Sequence, residues 1–478
     1  MIEPLNSSIT EHPVTAELKG IPIAPAADFY ELSHAQKRIL AASKAASGRR
    51  QSNLLFFSFV DGPLDINAVE KAVAALIARH ESLRTSFVEQ EEVSWQQISS
   101  AGLFSLKVNY IDISNYENKH ELIQEIIHEE QGFAFDLQSG PLMRVVLIHS
   151  AAEQFILIFS VHHLISDDRS LEIIVREFFT IYNAFRQQKE NPLPDLRIQY
   201  KDFVAWKNAQ LKGERLRFLE NFWLNYLQDK WQAVKLPEDF PGNSLVFPGE
   251  GMAEFEMSSD LTAQLNEAAR LKEVNLFIAL VAVVAILLNR YSGQEDIIVG
   301  APVTTRDHPE LENQVGQYMD LLPVSIRLEP AKDSLTSILE KIRNTTREVL
   351  RYYLYPYDML AERMIVSDNR KHFKPFNILV QLDNGSPKDL PEIPGLSVHN
   401  HWGEYLADHT DIIFKFKTVD NYIKTGVVYN TALFKRSTIN RINENLLHII
   451  RLTMADLNKV IEGISLVEVP VIQPEEEL

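Results

Sequence analysis

At 478 residues and 45% hydrophobic composition, the chain is long enough for more than one packed core and too apolar for disorder. A net charge of −18 argues against a nucleic-acid partner, which needs basic surface. There is no cysteine, which removes disulfides, a thiol nucleophile and cysteine-ligated zinc, and fits a reducing cytoplasm.

Residues 1–28 read as an N-terminal linker, rich in Pro, Ser and Thr and without an apolar period. The opening "MIEPLNSSITEHPV" has neither a basic segment nor an apolar run, so no signal peptide is expected. Helices are predicted over 34–46 and 65–80, the latter from the three-and-four spacing of apolar residues in "INAVEKAVAALIARH". "SNLLFFSFV", "PLMRVVLIHS" and "EQFILIFSVHH" read as strands. Helical patterns return at 118–131, 170–187 and 201–228.

The Pro- and Gly-rich stretch 236–251, "LPEDFPGNSLVFPGEG", reads as the joint between a lobe at 29–235 and a second at 252–465. In the second lobe, helices are predicted at 260–271, 275–291, 334–354 and 435–453, and strands at "DIIVG", "FNILVQL" and "TGVVYN". The most apolar window, Leu276 to Leu288, is 13 residues long, too short to cross a bilayer, and reads as a buried helix between an Asn275 cap and a Gly293 stop. No membrane association is expected. Residues 466–478 form a charged tail. The restart of the pattern after 251 suggests two similar α/β lobes.

The chemistry-bearing stretch is "SVHHLISDDRS", Ser160 to Ser170. Alternation along a strand sends His162 and His163 to opposite faces, one toward the interior and one toward a cleft. That argues against the pair as joint metal ligands, and no metal is expected. Histidine suits proton transfer near neutrality, and a nearby carboxylate can brace the turn that carries it. A histidine pair by itself is more often structural than catalytic. The sequence has neither a GxSxG nucleophile elbow nor a glycine-rich phosphate loop.

Seven stretches together resemble the condensation domains of non-ribosomal peptide synthetases, enzymes of secondary metabolism and antibiotic biosynthesis. "HHLISDD" matches the family motif HHxxxDG except at its last position. "YELSHAQKRIL", "RHESLRTSF" and "YKDFVAWKNAQL" resemble motifs of the first lobe. The long stretch Arg290 to Leu328, then "YPYDML" and "FKPFNILVQLDN", resemble those of the second. The matches run in order over residues 22 to 465.

The resemblance implies an α/β fold of two chloramphenicol-acetyltransferase-like lobes in a V-shaped pseudo-dimer. It implies acyl transfer: a donor acyl thioester and an acceptor aminoacyl thioester, each on a carrier protein, are joined by an amide bond. The phosphopantetheine would come with the carriers, and this chain would bind no cofactor of its own. An adjacent adenylation domain and a monomeric state are expected. His163 would be catalytic. His162, Asp167, Arg306 and Arg84 would support the site, with Asp167 paired to Arg306. Asp168, Ser166 and Tyr318 are candidates for lining the acceptor tunnel.

Both histidines are kept, so cyclisation is not expected, and the motifs look most like the class that joins an L-donor to an L-acceptor. A fatty-acyl starter role stays open. Two departures stand out: Asp168 replaces the family glycine, and "YMDL" replaces the usual "FVNT". Some relatives whose motif ends in two aspartates recruit an oxygenase instead of condensing, but those lose the second histidine. A silent recruitment module and a stand-alone acyltransferase to an amine or alcohol are therefore the alternatives. For Asp168 itself two placements are open: a cap on the helix starting near Arg169, or a carboxylate in the tunnel.

Overall fold

The computed structural model describes residues 20–45, 53–102, 104, 106–228, 232–240, 250–368, 376–383, 391–402 and 410–467. The first half supplies helices α1 (His34–Ala45), α2 (Ile66–Arg79), α3 (Lys119–Gln131), α4 (Asp168–Arg186), α5 (Tyr200–Gln210) and α6 (Gly213–Leu227). Its strands are β1 (Asn53–Asp61), β2 (Thr85–Gln90), β3 (Val93–Ile98), β4 (Asn109–Asp112), β5 (Met143–Ala151) and β6 (Gln154–His162). The second half supplies β7 (Glu250–Met257), α7 (Ser259–Leu271), α8 (Leu276–Ser292), β8 (Asp296–Thr304), β9 (Met319–Arg327), α9 (Leu335–Val349) and α10 (Tyr357–Asp368). It ends with β10 (Ile378–Asp383), β11 (Ser397–Trp402), β12 (Ile412–Val419), β13 (Tyr422–Asn430) and α11 (Arg436–Ala455).

Two sheets organise these elements. The first has the order β11-β1-β6-β5-β4, the second β7-β13-β12-β10-β8-β9, and β2 and β3 form a separate hairpin. In the first sheet, alternation puts Leu54 and Phe56 of β1 on the face covered by α2 and α4. Leu55 lies on the other face, with Ile123 and Ile127 of α3. The second sheet is also covered on both faces. α7, α8, α9 and α11 pack one side; α6 and α10 pack the other, through Trp223, Leu227, Leu360 and Met364. Helix α8 lies inside the lobe, buried from Phe277 to Asn289. As expected, Asn275 Oδ1 caps it by accepting from Ile278 N at 2.9 Å, and Gly293 ends it in the left-handed region, where a side chain would be strained. No single helix among the described residues is long and apolar enough to cross a membrane.

Strands β2, β3, β4, β7, β9 and β12 and helix α10 are not among the predicted elements, and two further differences bear on the junction. The helix predicted over 201–228 is two helices, broken where Gly213 takes φ +61°. Strand β11, from the second half of the sequence, pairs antiparallel with β1 in the first sheet, Val60 facing Val398. Helix α6 of the first half likewise packs on the second sheet. Each half thus lends an element to the other, and strand pairing and packing hold the lobes together.

Candidate active site

The histidines close β6. His162 is its last residue, and His163 begins the turn into α4. Both are buried, and they point to different surroundings as alternation requires. His162 meets Phe135 edge-to-face at 6.0 Å, and its Nδ1 accepts from Leu164 N at 3.2 Å. Burial, with the neighbouring His163, pushes its pKa down to about 3. His163 is turned toward the second lobe. Its Nδ1 lies 2.8 Å from the Ser166 carbonyl, which can only accept, so Nδ1 carries the proton and Nε2 is the lone-pair nitrogen. Burial lowers its pKa to about 4, against the opposing pull of Ser166 and Asp167. The imidazole is therefore neutral at physiological pH, which is the form that can accept a proton.

The turn is held from several directions. Asp167 Oδ1 accepts from Ser170 N at 2.7 Å and from Arg306 Nη2 at 3.1 Å, while Oδ2 accepts from Tyr318 N at 3.1 Å. Asp167 thus caps α4 and forms the expected ion pair across the lobes. The same guanidinium donates to Ser170 Oγ, Leu311 O and Gln314 O and stacks 3.9 Å over the Tyr318 ring. Ser170 Oγ also bonds Gly316 at both its carbonyl and its N–H. Gly316 is required there: a Cβ would lie 2.1 Å from Tyr200 Cδ2. From α1, Gln36 Nε2 donates to Leu164 O at 3.0 Å.

Three expected site residues, Ser166, Tyr318 and Arg84, need correction, and of the two placements open for Asp168 the cap is excluded. Asp168 does not cap α4, because Asp167 occupies that position and Asp168 is the first helical residue. Solvent reaches Asp168, and its charged neighbours are Asp167, Glu172, Asp383 and Lys415. Lys415 projects from β12 on the sheet face opposite Phe414 and Phe416, the face toward the junction. Protein crowding pushes the Asp168 pKa up to about 6, with Lys415 opposing; because solvent reaches the group, screening blunts the cost. Ser166 and Tyr318 do not line an open passage. Ser166 is fully buried and serves through its carbonyl, and Tyr318 is packed between Arg306, Tyr200 and Phe203. Arg84 points away from the motif, to Glu81 and the Ser99 carbonyl. Its own stretch, "RHESLRTSF", supports the site differently: Arg79 and His80 bond Glu177 of α4 at 2.9 and 2.6 Å, and Ser82 Oγ donates to Val315 O at 2.6 Å.

The sequence reading missed Gln317. Its Nε2 lies 3.3 Å from His163 Nε2, and its Oε1 accepts from Met319 N at 3.0 Å. The opening and late motifs also meet: His34 Nδ1 lies 2.8 Å from Asp358, and Arg38 lies 3.8 Å from Asp320.

With a buried histidine held at the two-lobe junction by a cross-lobe Asp–Arg pair, the family model "Condensation domain" matches residues 26–469. The chain belongs to that family, whose members are generally acyltransferases, within the non-ribosomal peptide synthetases. It is 30% identical over 452 residues to tyrocidine synthase 2 of Brevibacillus parabrevis, covering 94% of this chain and 12% of that protein. It is 29% identical over 436 residues to gramicidin S synthase 2 of Aneurinibacillus migulanus, covering 90% and 9%. The chain therefore spans about a tenth of these large synthetases. The fold of two chloramphenicol-acetyltransferase-like lobes is shared with solved structures. The first condensation domain of the calcium-dependent antibiotic synthetase matches with a TM-score of 0.76 at 17% identity, over 93% of this chain and all of that one. The X-domain from teicoplanin biosynthesis matches with a TM-score of 0.82 at 21% identity, over 94% and 100%.

Proposed function

We propose that this domain joins a donor acyl thioester to the amine of an acceptor aminoacyl thioester, each carried on the phosphopantetheine arm of a carrier protein. The observation that supports it most is His163, neutral and buried between the lobes, with Nδ1 committed to Ser166 and Nε2 left as the proton-accepting atom. The acceptor nitrogen attacks the donor carbonyl, the carbon–sulfur bond breaks, and the proton lost by nitrogen leaves with the thiolate. His163 accepts or orients that proton; Asp167, Arg306 and His162 keep it in place. Holding two reactants together supplies about 7–11 kcal/mol, and a positioned base adds typically about 10²–10⁴-fold. No covalent intermediate on the protein and no cofactor of its own is needed. The motifs favour an L-donor and an L-acceptor, with carrier and adenylation domains as neighbours and a cytoplasmic setting. An Asp168 carboxylate on the path of the acceptor arm would disfavour acceptors with a negative charge.

A second reading rests on Asp168 in place of glycine and on the likeness to the teicoplanin X-domain, which has also been solved in complex with OxyB. In it the domain is a silent docking module. The deciding experiment presents the domain with loaded donor and acceptor carriers. Amide product on the acceptor carrier supports condensation. A folded domain that yields none supports docking, and product only with a free amine or alcohol supports a stand-alone acyltransferase.

A further inference from the structure

Gln317 touches the one atom of His163 that condensation needs. Its side chain is buried at 2% exposure, and its amide orientation is fixed: Oε1 accepts from Met319 N–H, so the NH₂ group faces His163 Nε2. The reverse orientation would set the NH₂ against the Met319 N–H and an oxygen against a lone pair. We propose that Gln317 is a positioning residue that holds His163 in its neutral Nδ1–H form and covers the Nε2 lone pair until an acceptor amine replaces it. The inference rests on the reading of His163 as the group that meets the amine.

The physical chain is short. Ser166 O accepts from Nδ1–H, so Nε2 has one lone pair and no proton. Gln317 donates to that lone pair. Were His163 protonated, Nε2–H would face the Gln317 N–H, donor against donor. The amide therefore adds to burial in disfavouring the imidazolium. Among the described residues, the charged and titratable groups facing His163 include Arg38 from α1, which also disfavours the imidazolium, Asp167 from the same turn, which favours it, and the neutral His162 beside it. An amine that uses Nε2 must displace the amide. Gln317 thus shields the base from water in the empty site and competes with the acceptor for one lone pair.

Two variants of the full chain test this, with ¹⁵N resonances of His163 as the primary readout and condensation on loaded carriers as the second. In Gln317→Glu the carboxylate accepts from Nε2–H, and the His163 pKa should rise by at least about one unit. In Gln317→Met the amide hydrogen bond to Nε2 is removed. Its Nε2 resonance should move toward that of an unbonded imidazole nitrogen, with Nδ1–H unchanged. The apparent KM for the acceptor carrier should fall by roughly 2–10-fold, the worth of one neutral hydrogen bond, with little change in kcat. Should Gln317→Glu not fold, Gln317→Met alone carries the test. An unchanged Nε2 resonance in Gln317→Met, or a His163 titration in Gln317→Glu identical to the parent, overturns the proposal. If the resonances respond as stated but no chain condenses, the positioning role stands and the condensation reading falls.

Discussion

Two of the polar contacts where the lobes meet differ in construction. Around Asp167 and Arg306 the side chains are 4% and 8% exposed, and every bond is shared: the carboxylate caps a helix while the guanidinium gathers two carbonyls, a hydroxyl and a ring. Between α1 and α10, His34 and Asp358 are 19% and 17% exposed and form a single pair, with Arg38 and Asp320 at a looser 3.8 Å beside it. The first contact sets the geometry of His163, and loss of a partner there strands a buried charge. The second is wetter and carries fewer bonds. The same residue types therefore do different work according to burial.

The largest expected effect tests the first contact. Asp167→Ala removes the α4 cap and leaves Arg306 without its carboxylate, and should cost about 3–5 kcal/mol, read as a collapse of the denaturation midpoint or insoluble protein. Next, Gly316→Ala drives a methyl into the Tyr200 ring and should cost about 1–3 kcal/mol. An unchanged midpoint in either variant would show that the junction is softer than its geometry implies. At the second contact, Asp358→Asn should change stability by only about 0–1 kcal/mol. A loss comparable to that of Asp167→Ala would erase the contrast between the two regions.

Titration sharpens the comparison. The pKa of Asp168 is raised on folding, so its contribution is present below the unfolded value of about 3.9 and is lost as pH rises through about 6. Asp168→Asn should therefore gain on the parent as pH goes from about 4 to about 7, measured as denaturant midpoints. His163 is depressed to about 4, so condensation should lack the limb near about pH 6.5 that an ordinary histidine base gives.

Local signals were legible. Asn275, the apolar run and Gly293 each act within a few residues, so cap, helix and stop could be read in order. The Asp167–Arg306 pair followed from two motifs 139 residues apart only because the family resemblance linked them. What stayed hidden depends on contacts distant in sequence and poor in pattern. Strand β11, "SVHNHW", lacks a clean apolar alternation and takes its strand character from pairing with β1 in the other sheet. Gln317 is one polar residue in a polar stretch; only folding brings it to His163, 154 positions away. Ser166 and Tyr318 were misplaced because a motif names neighbours without telling which side chain faces solvent. The cap placement left open for Asp168 fell to its neighbour, since Asp167 and Asp168 are equally good caps on composition.

The most direct measurement compares the parent chain with His163→Ala on loaded donor and acceptor carriers, with folding checked in parallel. The account predicts an intact fold and a condensation rate lower by roughly 10²-fold or more. Near-normal turnover by the folded variant would contradict it.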